Sequence, residues 1–144
     1  MLLKMKNGAL GTVTASKLAT GTNDDLTFEI YGQRGSLKFS LMDPAWLWFY
    51  DRGREGGELG GERGFTRIEC VGRFPSHAGV FPSVKAPVGW LRAHEENMFA
   101  FLSSVSHGTA CSPSFAQGAY VQKVIEAARR SDALAGKEIG VETV

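Results

Sequence analysis

The chain has 144 residues, of which 43% are hydrophobic, and a formal net charge of +1. This length allows one domain with a substantial core, so we predict a single domain over residues 1–144. Scattered Lys and Arg at near-neutral net charge argue against a nucleic-acid partner. No apolar run approaches the roughly 20 residues that span a bilayer, and Lys4 and Lys6 interrupt any signal-peptide core. We therefore predict a cytoplasmic protein without membrane contact.

The first strands are marked by a turn dipeptide. Asn7-Gly8 lies between the strand candidates Leu2–Met5 and Ala9–Ser16. This pair favours a tight hairpin turn in which both residues have positive φ. The sequence thus predicts a β-hairpin at the start of the chain. Because a strand candidate begins at the second residue, we interpret the chain as a fragment, truncated by design or in its gene.

Alternation predicts the central sheet. Apolar and polar residues alternate over residues 26–31, the Gly32–Gly35 turn follows, and Ser36–Leu41 continues as a strand. Trp46–Tyr50 is a short aromatic strand, and Phe65–Val71 alternates again. The Gly- and charge-rich residues 51–64 between them predict a mobile hairpin loop. Residues 72–87, with three prolines, predict an irregular loop.

Two helices and a last strand complete the predicted order. Apolar residues recur at helical spacing from Leu91 to Val105, and Gly108 ends this helix. Ser114 with Gln117 forms a capping box that opens a second helix, which ends by Gly136. Residues 139–144 are the last strand candidate. The fold class is therefore α+β: a mainly antiparallel open sheet of about six strands with two helices packed on one face.

The uncovered sheet face is predicted to contact another protein. Large apolar residues occur at both odd and even positions of the strands, so both faces of the sheet carry them. These residues are Tyr31, Phe39, Leu41, Trp46, Trp48 and Tyr50. We therefore expect a homo-oligomer that forms through the open sheet face.

The two cysteines do not indicate a metal site. Cys70 and Cys111 lack C-x-x-C spacing and a matching His pair. We predict two reduced, buried thiols and no bound metal.

Four segments, in this order, carry a family resemblance. They are NGALGTVTASKLATGTNDDLTFEIYGQRGSLKF, GWLRAHEENMFAFLSSVSHG, PSFAQGAYVQKVIEAARRS and GKEIGVE. Together they resemble the C-terminal substrate and oligomerisation domain of the glucose–fructose oxidoreductase and inositol dehydrogenase (Gfo/Idh/MocA) family. The resemblance implies a sugar or polyol oxidoreductase that uses NAD or NADP, with the open sheet face as subunit interface.

The same resemblance implies that the N-terminal Rossmann domain is missing. The chain has no G-x-G-x-x-G after a strand, no Glu-Lys-Pro motif, and no Asp/His pair before the long strand. We therefore expect this chain alone to bind no cofactor, to have no catalytic residue and to be inactive. The alternative is a stand-alone binding or assembly module without redox activity; a small hydrolase lacks any nucleophile or metal pattern.

Two groups of residues are substrate-binding candidates. Thr22, Asn23 and Asp24 lie just before a predicted strand. From this position, the resemblance assigns them to the wall of the site that contacts substrate hydroxyls. Short donors and acceptors are suited to such contacts. The alternative is an ordinary polar turn, in which Asn and Asp bond their own backbone.

The second group is Trp90, Arg92 and His94 at the start of the first helix, flanked by Lys85 and Arg73. Arg could clamp an anion and Trp could stack on a sugar ring. The favoured alternative is a helix N-terminus with a buried Trp anchor, solvated charges and a packed His94. His77 and His107 are expected to be surface loop residues.

Overall fold

The computed structural model describes residues 1–72, 83 and 85–144. They form two compact units: Met1–Ala19 with Ser103–Val144, and Thr20–Leu102. Within these described residues, two helices and six antiparallel strands confirm the α+β class, although the strands form a two-stranded and a four-stranded sheet. The single domain and the helices on one sheet face stay predictions.

The first unit begins with the predicted hairpin, whose turn is wider than expected. Strands β1 (Leu2–Lys4) and β2 (Leu10–Thr12) pair antiparallel. The Met5 amide donates to the Ala9 carbonyl at 2.8 Å, and the Gly8 amide donates to the Met5 carbonyl at 2.9 Å. Only Gly8 has positive φ (86°), so the expectation of positive φ at Asn7 is wrong. A three-residue loop with one left-handed residue replaces the two-residue turn.

The second unit contains the four-stranded sheet. Its strands are β3 (Thr27–Tyr31), β4 (Gly35–Ser40), β5 (Trp46–Asp51) and β6 (Thr66–Glu69), and each pairs antiparallel with the next. The four predicted strands are thus confirmed; β3 and β6 are shorter than predicted, β4 begins and ends one residue earlier, and β5 ends one residue later. Consecutive antiparallel order follows from the short turns between β3, β4 and β5.

The helices begin and end where local chemistry requires. Helix α1 (Trp90–His107) is followed by Gly108, whose φ is 62°. Helix α2 (Phe115–Ala133) opens on the predicted capping box. The Ser114 Oγ accepts from the Gln117 amide at 3.3 Å, and the Gln117 Oε1 accepts from the Ser114 amide at 2.7 Å. Two of the orphan donors at the start of the helix are thereby satisfied.

The predicted last strand is wrong, because the chain ends in a 3-10 turn at Val141–Thr143. The Thr143 amide donates to the Gly140 carbonyl at 3.0 Å. Lys123 of α2 donates to the Val144 carbonyl at 2.9 Å, and Lys6 pairs with Glu142 at 2.9 Å. These local and side-chain partners satisfy the segment without a neighbouring strand.

Candidate functional site

The loop that leads into β3 presents the first group of candidates to solvent. Thr22, Asn23 and Asp24 are all exposed. Asp24 has φ of 48°, in the left-handed region, and its carbonyl accepts from the Leu26 amide at 3.0 Å. Asp tolerates this conformation better than most residues, but it remains uncommon outside glycine. The backbone therefore holds residues 23 and 24 in a defined turn at the start of a strand.

The side chains of this loop divide into two kinds. The Asp25 carboxylate accepts from the Ser40 hydroxyl at 3.1 Å and so fixes the loop to β4. Within the described part of the chain, the side chains of Asn23 and Asp24 make no hydrogen bond. An ordinary Asx turn would use these groups on the backbone of the loop. Their polar atoms instead remain available to a ligand.

At the start of α1, the anchor is Arg92 rather than Trp90. Arg92 is 5% exposed, whereas Trp90 is 53% exposed, which reverses the expected buried Trp and solvated Arg. The guanidinium donates to the Ala86 carbonyl at 2.8 Å and to the Ser83 carbonyl at 3.2 Å. Five donors in a fixed fork allow Arg to hold several backbone oxygens at once. Arg92 therefore fixes the preceding loop to the helix.

Trp90 and His94 form an exposed ring pair on another side of α1. Their ring centroids lie 5.6 Å apart at an interplanar angle of 24°. Residues four apart share a helix face, while Arg92, two residues from each, points about 200° around the axis. The helix thus keeps Trp90 and His94 together and turns Arg92 away from them. His94 is exposed, so the expectation of a packed histidine is wrong.

The remaining residues near this group add little to a site. Lys85 is exposed, and Arg73 and His77 lie outside the described residues. His107 lies in the last turn of α1 rather than in a loop, with its Nδ1 2.8 Å from the Ser103 carbonyl oxygen.

A cavity of about 330 Å³ lies beside the start of α1. Its wall is mainly apolar, with one carboxylate and the Arg92 side chain. The lining residues are Ala86, Pro87, Val88, Gly89, Trp90, Leu91, Arg92 and Glu95. The volume is at the lower end of the range for small-molecule sites.

The strand register separates the four-stranded sheet into two faces. Because side chains alternate, cross-strand partners share a face. Apolar pairs such as Phe28 with Phe39 and Leu37 with Phe49 define an apolar face. The opposite face, here called the aromatic–cationic face, includes Glu29, Tyr31, Lys38, Trp46, Trp48, Tyr50, Phe65, Arg67 and Glu69. The prediction that both faces carry large apolar groups is confirmed.

Cations stack on rings across the aromatic–cationic face. The Arg67 guanidinium carbon lies 4.2 Å from the Trp46 ring centre and 5.7 Å from that of Trp48. The Lys38 Nζ lies 5.0 Å from the Phe65 ring centre. Such contacts order long side chains into a surface of rings and charges.

The pKa of Glu29, on this face, is lowered by its neighbours. The Tyr31 hydroxyl, which donates to the carboxylate, and then Lys38 at 3.3 Å lower the pKa of Glu29 below its ordinary value of 4.5. A lowered folded-state pKa stabilises the fold above the unfolded value, and this contribution is lost as pH falls through the folded value.

We therefore expect the wild-type chain to lose stability more steeply than Glu29→Gln as pH falls below the ordinary glutamate pKa of 4.5. The measurement is the urea midpoint at each pH, with Glu69→Gln as control, since Glu69 lies on the same face and has no ion pair among the described residues. Equal slopes for wild type and Glu29→Gln would contradict the assignment.

Other site classes find no support in the described residues. No group of three or more His, Cys, Asp or Glu side chains there could hold a metal ion. In the same part of the chain, no helix combines the length and apolarity of a membrane span. Cys70 and Cys111 are free and half-buried, so the expected thiols are only partly enclosed.

Comparison with known proteins gives consistent matches. Residues 1–137 match the model of the family described as "Oxidoreductase family, C-terminal alpha/beta domain". A levoglucosan dehydrogenase from Pseudarthrobacter phenanthrenivorans is 28% identical in an alignment of 131 residues that covers 88% of this chain and 31% of that protein.

Solved structures agree. An oxidoreductase domain protein from Kribbella flavida has a TM-score of 0.81 at 30% identity, over 93% of this chain and 34% of its own. Levoglucosan dehydrogenase in complex with NADH and levoglucosan has a TM-score of 0.78 at 28% identity, over 93% and 35%. The chain thus spans about one third of the length of these relatives.

Proposed function

Because the chain belongs to the oxidoreductase family that shares this C-terminal alpha/beta domain, the glucose–fructose oxidoreductase and inositol dehydrogenase family, we propose that it is the substrate-binding and oligomerisation domain of a sugar or polyol oxidoreductase. Since it spans only about one third of its relatives, the proposal assigns the cofactor and the proton-transfer groups to another part of the full-length enzyme.

The described residues do not fit a dinucleotide. A dinucleotide cradle needs a Gly-rich turn between a strand and a helix, whose N-terminus receives the pyrophosphate. The Gly-rich residues 52–65 connect β5 to β6, so a strand follows instead of a helix. No hydride-transfer step is therefore assigned to this chain. NADH in complexes of levoglucosan dehydrogenase supports NAD as the cofactor of the full-length enzyme.

The observation that carries the substrate role is the pair Asn23 and Asp24. Both side chains are exposed, and neither has a hydrogen-bond partner in the described chain. An amide donates and accepts, and a carboxylate accepts from two hydroxyls, so together they match a ligand with adjacent hydroxyl groups. Their role would be to orient the ring of the substrate. The levoglucosan complex of a relative supports a cyclic, polyhydroxylated substrate class.

The exposed pair of Trp90 and His94 supports the same class. A sugar ring has an apolar C–H face that packs on an aromatic ring. Trp90 also borders the cavity of about 330 Å³, which has room for a ring of this size. We assign Trp90 and His94 to a second contact with substrate or with the loop that encloses it, and Arg92 to positioning the helix start.

Two exposed surfaces support association with other protein. The apolar stripe of α1 is largely exposed, with Leu91, Met98 and Leu102 at 57–73%. Such a stripe is stabilised when another element covers it, and the nucleotide-binding domain of the full-length enzyme is the proposed partner. On the aromatic–cationic face, Arg67 and Trp48 are residue types enriched in subunit contacts, so this face is the proposed homo-oligomer interface.

The proposal is tested by joining the chain to a nucleotide-binding domain of a relative. The joined protein is expected to reduce NAD with a cyclic sugar such as levoglucosan, followed as NADH absorbance, while the chain alone shows no turnover and no NADH binding by fluorescence. Sugar binding by the chain alone, with no oxidation by the joined protein, would favour the stand-alone module instead.

A further inference from the structure

The connection between β5 and β6 is longer than a hairpin needs and is folded on itself. These 14 residues, 52–65, are here called the arm. Hairpins usually need two to five loop residues. The Gly60 amide donates to the Gly57 carbonyl at 3.1 Å, and the Arg63 amide donates to Gly60 at 3.0 Å. A Cβ on Gly61 would lie 2.4 Å from the Gly57 nitrogen, so the arm folds tightly on itself.

The arm presents one apolar side chain at its tip. Leu59 is fully exposed and has φ of 53° and ψ of 27°, in the left-handed region. Glycine adopts this conformation at much lower cost than a γ-branched residue. Glycine occurs at four other positions between 56 and 61, yet leucine stands at the strained one. The strained leucine indicates that its side chain, rather than the backbone turn, is what the position requires.

The charges of the arm are not paired with each other. The base arginines Arg52, Arg54 and Arg63 bond neutral groups: the Gln33 carbonyl at 3.3 Å, the Thr66 hydroxyl at 2.9 Å and the Arg54 carbonyl at 3.3 Å. The tip acids are Glu55, Glu58 and Glu62, and all are exposed. Within the described chain, none of these six side chains has an opposite charge within 4 Å. The arm therefore carries two opposite, uncompensated charge sets.

We propose that two copies of this chain exchange their arms, so that the tip acids of each copy meet the base arginines of the other and Leu59 is enclosed by the contact. A two-fold axis makes the two contacts equivalent, because a surface with both charge sets is complementary to itself. The inference rests on the proposed self-association of this domain and names a contact for it outside the sheet face.

Charge reversal tests the exchange. One variant reverses the tip (Glu55→Arg, Glu58→Arg, Glu62→Arg) and the other reverses the base (Arg52→Glu, Arg54→Glu, Arg63→Glu). Each alone is expected to raise the dimer dissociation constant at least tenfold, on the order of several surface ion pairs turned repulsive. A mixture of the two is expected to form heterodimers, since both contacts are then attractive. The measurement is sedimentation velocity of the 144-residue chain at low salt.

The mixture distinguishes the contact from a folding defect. Circular dichroism confirms that each variant is folded, and recovery on mixing cannot come from an unfolded chain. Leu59→Gly supplies an independent variant, because glycine keeps the left-handed turn and removes only the side chain; it is expected to weaken the dimer about tenfold.

Three outcomes overturn the inference: a monomeric wild type, single variants that dimerise as wild type does, or a mixture that does not recover. Trp48→Glu on the sheet face is the comparison. If it alone abolishes the dimer while the arm variants associate normally, self-association stands and the arm exchange does not. Sugar oxidation by the joined protein reports on the proposed function separately.

Discussion

Gly35→Ala is expected to lower the free energy of unfolding by about 2–3 kcal/mol, at the upper end of the range for overpacking. A Cβ at this position would lie 2.5 Å from the carbonyl oxygen of Tyr50 on the neighbouring strand. Both atoms belong to the main chain or are fixed to it, so β4 and β5 must separate to admit the methyl group. The measurement is urea denaturation followed by circular dichroism.

Gly118→Ala is the matched control for this change. Gly118 lies within α2, where an added Cβ has no atom within 4 Å apart from its chain neighbours and the backbone of its own helix. Alanine is favoured over glycine inside a helix, so this variant is expected to gain about 0.5–1 kcal/mol. If Gly35→Ala were as stable as wild type, the close approach of β4 to β5 would be wrong, whatever the result for Gly118.

Features set by neighbours in sequence were predictable. The capping box of Ser114 and Gln117 depends on a spacing of three residues, and the structure contains both of its hydrogen bonds. The strands β3, β4 and β5 likewise follow from alternation and from the short turns that join them. In each case the decisive interactions lie within a few residues, where a pattern can be read directly.

Features set by distant partners were not predictable in this way. At the start of α1, the sequence does not show that the Ser83 and Ala86 carbonyls accept hydrogen bonds from a side chain of the helix. Size and apolarity therefore favour Trp90 as the buried residue, whereas the structure buries Arg92. Residues 139–144 were predicted as a strand, but a side chain from α2 and a local 3-10 bond satisfy them. The need for glycine at position 35 is also invisible, because it arises from the adjacent strand.

The candidate site follows the same division. The sequence places Asn23 and Asp24 in a polar loop before a strand, but it cannot distinguish side chains that cap their own backbone from side chains that remain available. The structure makes this distinction, because the Asp25 carboxylate takes the structural role by accepting from the Ser40 hydroxyl at 3.1 Å. One carboxylate fixes the loop, so the two residues before it are not needed to hold it in place.

Asn23→Ala is accordingly expected to lower kcat/KM of the joined protein about tenfold while leaving its thermal stability unchanged. One hydrogen bond to a substrate hydroxyl is worth roughly that factor, and no bond within the described chain is lost with the amide. A rise in KM at constant kcat would mean that the contact is made equally in the ground state and the transition state, and an equal fall in kcat and kcat/KM would mean that it is made only in the transition state. Steady-state kinetics with the cyclic sugar make this separation.

Asn97→Ala is the control for this experiment. Asn97 is an exposed amide on α1, and alanine there favours the helix, so kinetics and stability should both stay near wild type. A loss of thermal stability in Asn23→Ala would instead indicate an ordinary turn residue, because a group that only binds substrate does not stabilise the free protein. Wild-type kinetics for Asn23→Ala would remove the residue from the site, and Asp24→Asn, which tolerates the same left-handed backbone, would then decide whether the loop contacts substrate at all.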